Sequence, residues 1–297
     1  MKLPALSLDH LLALTDGPGI VQFAKLGVGD PHSGYAIDDN ARALIVAAKL
    51  PPGRRRERLA EVYLSLLLHA QRPDGTLAHE VGYDRSLAEV AASDDGLGRC
   101  VWACAEVVAS DLPEAMKRTA TRVLRRARPH LAGIRHVRGW ANAMQGLALY
   151  AHLTGDGDAR EAAVECADHL LAHLASHSDS TWVWFEDILT YEPGRLPLGL
   201  LFAAALTGEA RYLEAAGRAL TFLERTLYEV TSRGRIFIPI GNRGWYPRGG
   251  ERARYDQQPV DAGSMVEAWN AAEALMGDRK YRSLARDTFG WFLGANS

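Results

Sequence analysis

Two aspartate doublets occur at similar places in the sequence. Asp38 and Asp39 lie in "GYAIDDNARAL", and Asp94 and Asp95 lie in "SDDGLGRCVWA". Each doublet precedes an apolar run with helical spacing, where an aspartate can accept hydrogen bonds from the free N–H groups of a helix start. Capping requires one aspartate at most, and Ser93 can cap the second helix, which leaves both of its acids free. We therefore expect one aspartate to hold each helix start and a neighbour, Asp39 in the first doublet, to face a cavity.

A third acidic pair, Glu186 and Asp187, follows the aromatic segment "TWVWF". Apolar surroundings raise the pKa of a carboxyl group and suit a general acid, whereas a helix N-terminus keeps a carboxylate ionised and suits a base or nucleophile. Such a pair is what glycosidic bond cleavage requires, with the two carboxyl groups about 5 to 9.5 Å apart. Glu186 is the predicted acid, and its predicted ionised partner is Asp39, Asp94 or Asp95.

Hydrogen-bonding side chains and aromatic rings are concentrated in the same kind of segment, before apolar helical runs. Amides, carboxylates and arginines can bind sugar hydroxyls, and aromatic rings can stack on the apolar faces of sugar rings. Asp261 can instead cap a helix that starts near Pro259. The predicted substrate-binding residues are Asp38, Trp140, Asn142, Trp184, Asp187, Arg195, Trp245, Tyr246, Gln257, Gln258 and Asp261.

The elements that position these residues form a repeat of helical pairs. Apolar residues at three- and four-residue spacing predict two helices per repeat, the first apolar on nearly all sides and the second amphipathic. The period is about 50 residues, which is typical of a helical-hairpin array. Gly155, Gly208 and Gly277 are predicted C-caps of first helices. The five predicted hairpins cover residues 41–71, 97–131, 141–176, 196–230 and 262–294, and residues 6–14 supply part of a sixth.

The joints before the first helices are long, whereas the joints within each pair are tight. All the long joints would open at one end of an array in which buried inner helices lie inside outer helices. The predicted fold class is an all-α (α/α) toroid or barrel of about six hairpins, formed by residues 1–297 as a single domain. Residues 231–259 interrupt the helical rhythm, and we expect a short β-hairpin there.

Composition excludes several other classes of protein. The formal charge is −2, which does not indicate a nucleic-acid partner, and no apolar run approaches the length of about 18 residues that spans a membrane. Three cysteines without paired spacing predict neither a disulfide framework nor a metal site. No nucleotide-binding or other cofactor motif is present. The first residues lack a signal peptide, which predicts a cytoplasmic protein.

The hairpin array with acids and aromatic residues before its inner helices resembles the six-hairpin (α/α) toroids of carbohydrate-active enzymes. "GYAIDDNARAL" is similar to segments of bacterial proteins of glycan metabolism that occur beside glycosyltransferases. The resemblance implies a glycan or oligosaccharide substrate, a glycoside hydrolase that needs no cofactor, and a glycosyltransferase as a partner. Two alternatives stay open. One is a sugar epimerase or isomerase, with histidines such as His32, His79 and His136 as bases, and the other is a non-catalytic glycan-binding accessory domain.

Overall fold

The computed structural model describes residues 4–232 and 234–296, and α-helices dominate it. Their bounds follow the predicted hairpins, because each helix occupies one of the periodic apolar windows. The helices are α1 (Asp9–Leu14), α2 (Ile37–Lys49), α3 (Arg54–Ala70), α4 (Asp94–Ala109), α5 (Glu114–Ala127), α6 (Val137–Thr154), α7 (Gly157–His177), α8 (Arg195–Thr207), α9 (Ala210–Leu227), α10 (Pro259–Met276) and α11 (Lys280–Gly290). The five predicted hairpins and the additional N-terminal helix are thereby confirmed.

The strands are short and form two-stranded antiparallel sheets. They are β1 (Ala24–Lys25), β2 (Val28–Gly29), β3 (Tyr35–Ala36), β4 (Glu80–Val81), β5 (Ile188–Leu189), β6 (Tyr228–Thr231), β7 (Gly234–Phe237) and β8 (Tyr246–Pro247). The antiparallel pairs are β1–β2, β3–β4, β5–β8 and β6–β7. The predicted β-hairpin is the β6–β7 pair, which begins earlier than expected because its first strand directly continues α9.

The chain divides into two compact units, residues 1–162 and 163–297, and the division falls inside α7. In the first unit α2 packs on α3 and α4, and α4 packs on α5 and α6. In the second unit α8 packs on α9 and α10, and α10 packs on α11. The single domain predicted from the sequence stays a prediction.

Glycines set the spacing of α4 and α6. A Cβ atom on Gly146 would lie 2.5 Å from the Cα atom of Trp102, and one on Gly98 would lie 2.5 Å from the carbonyl oxygen of Gly139. Both distances are shorter than real Cβ contacts, so the two helix backbones approach each other more closely than any residue with a side chain allows. Both helices are buried on nearly all sides, as predicted for inner helices.

The helices before three of the tight joints end at glycine C-caps, as the sequence predicts. Gly155, Gly208 and Gly277 have φ angles of 71°, 77° and 72°, and each donates its N–H to a carbonyl in the last turn of the helix before it. This left-handed C-cap favours glycine because a Cβ atom would be strained there. By contrast, α2 and α10 bury one side only, so the prediction of first helices buried on all sides is wrong for these two. No helix in the described ranges is long and apolar enough to span a bilayer.

Candidate active site

The first doublet lies in the first turn of α2 but does not cap it. The N-cap residue is Ala36, which has no side-chain cap, so the expectation that one aspartate holds this helix start by capping is wrong. The carboxylates turn instead to Arg42, one turn further along. Its Nη2 atom lies 3.0 Å from Oδ2 of Asp38 and 2.5 Å from Oδ1 of Asp39. A single guanidinium group thus bridges both acids.

The second aspartate of the doublet has a raised pKa. Burial raises the pKa of Asp39 above its ordinary value, and the negative charge of Asp38 raises it further, whereas Arg42 and Arg99 lower it. Arg99 is itself buried, on the second turn of α4. A carboxyl group whose pKa is raised by burial and by a neighbouring carboxylate is suited to general acid catalysis.

The second doublet begins α4, and here the predicted serine cap is confirmed. Ser93 Oγ accepts a hydrogen bond from Gly96 N at 3.1 Å. The sequence suggested that this cap leaves Asp94 free, and that expectation is wrong. The Oδ2 atom of Asp94 accepts hydrogen bonds from the backbone N–H groups of Arg135 and His136 at 2.7 and 2.8 Å. Asp94 therefore anchors the joint that leads into α6. Asp95 is half-buried in the same helical turn.

The starts of α2, α4 and α6 lie together in the first unit. A Cβ atom on Gly96 would lie 4.0 Å from Cβ of Asp38, and one on Gly139 would lie 2.8 Å from Cβ of Asp94. The structure thus places the helix start that carries Asp38 and Asp39 next to the one that carries Asp94 and Asp95. We call Asp38, Asp39, Asp94 and Asp95 the acid cluster.

Asn142 lies beside the acid cluster, on the second turn of α6. Its side chain is fully buried, and neither Oδ1 nor Nδ2 has a hydrogen-bond partner among the described residues. Its Cβ atom would be 3.0 Å from a Cβ atom on Gly98 of α4. A buried amide without hydrogen-bond partners destabilises the folded state. Trp140, two residues earlier in the same helix, is buried.

In the second unit, the predicted acid pair lies between α7 and α8. Glu186 is half-buried, and its backbone carbonyl accepts a hydrogen bond from the indole N–H of Trp182 at 2.8 Å. Asp187 is exposed and forms an ion pair with Arg248 at 3.1 Å. Trp184 is fully buried against Phe185 and Phe222 and has no face toward solvent. We therefore do not propose that Trp184 binds substrate.

The rings of Trp245 and Tyr246 are partly exposed. Trp245 has a φ angle of 55° and lies 6.0 Å from the ring of Tyr191, measured between centroids. Tyr246 lies in β8 and packs edge-on against Trp182 at 5.3 Å. Their place in substrate binding stays a prediction.

Two of the predicted residues around the start of α10 form hydrogen bonds within the protein. Gln257 Oε1 accepts a hydrogen bond from the indole N–H of Trp291 at 2.9 Å, and Gln258 is the N-cap residue without a side-chain cap. Asp261 is fully buried, and its Oδ1 atom accepts a hydrogen bond from the backbone N–H of Glu192 at 2.7 Å. The prediction that Asp261 caps α10 is therefore wrong. Like Asp94, it anchors the joint before another inner helix.

Sequence reasoning missed a charged group centred on Arg195. Glu192 is almost fully buried and has a φ angle of 48°, which is unusual for a residue with a side chain. Arg195 Nε lies 3.4 Å from Glu192 Oε1, and Arg195 Nη1 lies 2.5 Å from Glu267 Oε2. The signal in the sequence was weak, because an acid before Pro-Gly is typical of an exposed turn. Buried Arg99 was missed too, although an arginine inside a small apolar helix is a usable signal.

The described ranges contain no group of three or more His, Cys, Asp or Glu side chains that could hold a metal ion. No known protein family matches the sequence, and no curated protein matches it either.

Solved structures do match. A sugar epimerase from a ruminal bacterium superposes with a TM-score of 0.72 at 9% identity, over 93% of this chain and 80% of that chain. The cellobiose 2-epimerase of Bacillus thermoamylovorans gives a TM-score of 0.72 at 11% identity, over 96% and 83%. The cellulase Cel9M of C. cellulolyticum in complex with cellobiose gives 0.61 at 10% identity, over 89% and 66%. The chain has the (α/α) toroid fold of these structures. At these identities the likeness establishes the toroid fold alone, because the same fold carries both epimerases and hydrolases.

Proposed function

We propose that the protein is a carbohydrate-active enzyme that hydrolyses a glycosidic bond at the acid cluster. The observation that carries the proposal is the pair of carboxyl groups at the start of α2 that share Arg42, in which burial and the charge of Asp38 raise the pKa of Asp39. Glycoside hydrolysis requires a carboxylic acid that still holds its proton and a second, ionised carboxylate. The toroid fold supports a sugar substrate, because its structural neighbours include sugar epimerases and a cellulase.

The roles follow from the environment of each carboxyl group. Asp39 donates its proton to the leaving glycosidic oxygen as the bond to the anomeric carbon breaks. Asp95, at the adjoining start of α4, activates a water molecule or attacks the anomeric carbon directly. This reverses the roles predicted from the sequence, where Asp39 was an ionised partner. The role of Asn142 in substrate binding stays a prediction, since its side chain is fully buried.

The test is release of reducing ends from a panel of oligosaccharides. We expect wild-type protein to cleave at least one of them and Asp39→Asn to lower the rate by about 10²- to 10⁴-fold, which is the usual contribution of general acid catalysis. Asp158→Asn is the matched control, because Asp158 is an exposed surface acid paired with Arg128. Equal rates for Asp39→Asn and wild type would exclude Asp39 as the acid.

A second candidate is a sugar epimerase, because two neighbours with TM-scores of 0.72 are epimerases. Two histidines flank the same helix starts. The carbonyl oxygen of His79 accepts a hydrogen bond from Ile37 N at 3.2 Å, and His136 is the N-cap residue of α6. An epimerase that removes a proton next to a carbonyl would exchange that proton with solvent. Incorporation of deuterium into a reducing sugar in D₂O, abolished by His136→Ala or His79→Ala, would favour this candidate over hydrolysis.

A glycan-binding accessory domain is the non-catalytic alternative. It would bind an oligosaccharide without cleavage and without exchange, so the two assays above identify it by their joint failure. Association with a glycosyltransferase and a cytoplasmic location stay predictions from the sequence.

A further inference from the structure

A pocket of about 480 Å³ opens on the first unit, outside the acid cluster. One wall is the segment 31–34 that leads into β3, and the other is the segment 80–88 that contains β4. The two walls are joined by the β3–β4 pairing, in which Ala36 lies opposite Glu80. Since Ala36 is also the N-cap residue of α2, the pocket lies beside the helix start that carries Asp38 and Asp39.

An exposed aromatic ring forms part of this pocket. The side chain of Tyr83 is 59% exposed, and its ring is nearly parallel to that of Tyr35, with 6.4 Å between centroids and 15° between planes. Tyr35 is fully buried and donates its hydroxyl hydrogen bond to Asp16 at 2.6 Å. The inner ring therefore supports the outer ring, which leaves an apolar surface beside the pocket for a ligand.

The polar groups of the pocket are held in place before any ligand arrives. Asp84 Oδ1 accepts hydrogen bonds from the backbone N–H and the hydroxyl of Ser86, at 3.0 and 2.6 Å. A Cβ atom on Gly82 would lie 2.7 Å from that same carboxylate oxygen, so a larger residue there would displace the Asp84 side chain. Glu80, whose side chain is 42% exposed, adds a second carboxylate. Carboxylates accept hydrogen bonds from sugar hydroxyls, and a preformed site loses less entropy on binding.

We propose that this pocket is a subsite for one neutral hexose ring of an oligosaccharide. Tyr83 stacks on the face of the sugar ring, and Glu80 and Asp84 accept hydrogen bonds from the hydroxyl groups of the sugar. The proposal rests on the proposed function, since it extends the substrate from the acid cluster along the β3–β4 ribbon. It makes the preferred substrate an oligosaccharide and not a disaccharide.

Binding is measured by calorimetry on the full chain carrying Asp39→Asn, so that no probe is cleaved. Cellohexaose, mannohexaose and maltohexaose are the probes, each compared with its disaccharide. We expect the hexasaccharide that binds best to lose about tenfold in affinity when Tyr83→Ala is added, while Tyr83→Phe stays within about twofold because the ring remains. The disaccharide should bind equally well with and without Tyr83→Ala. Phe23→Ala is the control, since Phe23 is similarly exposed, at 62%, but does not line the pocket.

The failure of this subsite and the failure of the proposed function give different results. Tyr83-dependent binding of a hexasaccharide, together with absent cleavage by wild-type protein, would uphold the subsite and remove the hydrolase. Cleavage with a KM for hexasaccharide that Tyr83→Ala leaves unchanged would uphold the hydrolase and overturn the subsite. The subsite is also overturned if none of the three hexasaccharides binds, or if Phe23→Ala weakens binding as much as Tyr83→Ala.

Discussion

At the scale of single residues, the two aspartate doublets have different tasks although their sequences are alike. Asp38 and Asp39 share Arg42 within one helix, whereas Asp94 reaches the backbone of a joint 41 residues later in the chain. Local sequence could predict that acids lie at these helix starts. It could not show which carboxylate forms hydrogen bonds within the protein, because the backbone groups that Asp94 binds are distant in the sequence.

The pH dependence of stability should reveal the unusual titration of Asp39. Its folded-state pKa is raised by burial and by Asp38, so the folded state binds this proton more tightly than the unfolded state. Wild-type stability therefore loses a contribution as pH rises from the ordinary aspartate pKa of about 3.9 through the raised value. Asp39→Asn does not titrate and should gain stability relative to wild type across that window. Urea denaturation at a series of pH values measures this, and a relative loss for the variant would contradict the assignment.

Asp94→Ala should lower stability through the joint before α6. The substitution removes two charge-assisted hydrogen bonds to backbone N–H groups, and we expect a cost of about 1–3 kcal/mol in the free energy of unfolding. Asp158→Ala removes an exposed ion pair and should cost at most about 1 kcal/mol. Chemical denaturation of both variants is the measurement. Equal effects would mean that the bonds from Asp94 do not stabilise the joint.

At the scale of the elements, the features that the sequence could predict depend on residues close together in the chain. Hairpin boundaries follow from apolar periodicity, and the C-caps follow from glycines at the ends of apolar runs. The closeness of α4 to α6 was not predictable in this way. Gly98 and Gly146 are recognisable as contacts only when the facing backbone is known.

Gly146→Ala tests the contact between α4 and α6. The new methyl group would lie 2.5 Å from a backbone atom of Trp102, so the helices must separate, at a cost of about 1–3 kcal/mol. Gly217→Ala in α9 is the matched control. Its methyl group would meet only the flexible end of Met276 at 3.5 Å, and alanine favours helix, so stability should stay equal or rise by up to about 1 kcal/mol. Thermal unfolding of the two variants compares them, and equal losses would argue against backbone contact between α4 and α6.

At the scale of the whole molecule, the toroid fold is retained at sequence identities of 9% to 11% to the epimerases and the cellulase. The hairpin repeat and the acids before inner helices could be predicted because they are repeated features. The buried charges of Glu192 and Arg195 could not, since their burial depends on how distant segments pack. The same holds for Trp184, which lies in the core although it was predicted to bind substrate.

The three cysteines provide a measure of global folding. Cys100, Cys104 and Cys166 are all free and buried, and burial raises the pKa of Cys166 to about 12. A buried thiol with a high pKa reacts slowly because the thiolate is the nucleophile. We expect no rapid reaction with Ellman's reagent in the native protein and three thiols in guanidinium chloride. Stoichiometric labelling before unfolding would contradict the packed core.

The anchoring of joints by Asp94 and Asp261 has a consequence for which substitutions the joints tolerate. Each aspartate binds backbone N–H groups, which every residue except proline provides. Side chains at positions 135 and 136 can therefore change through mutation without loss of the bonds that hold the segment, whereas a change of Glu192 also removes its buried pairing with Arg195. The segment before α6 thus keeps its place while its side chains vary.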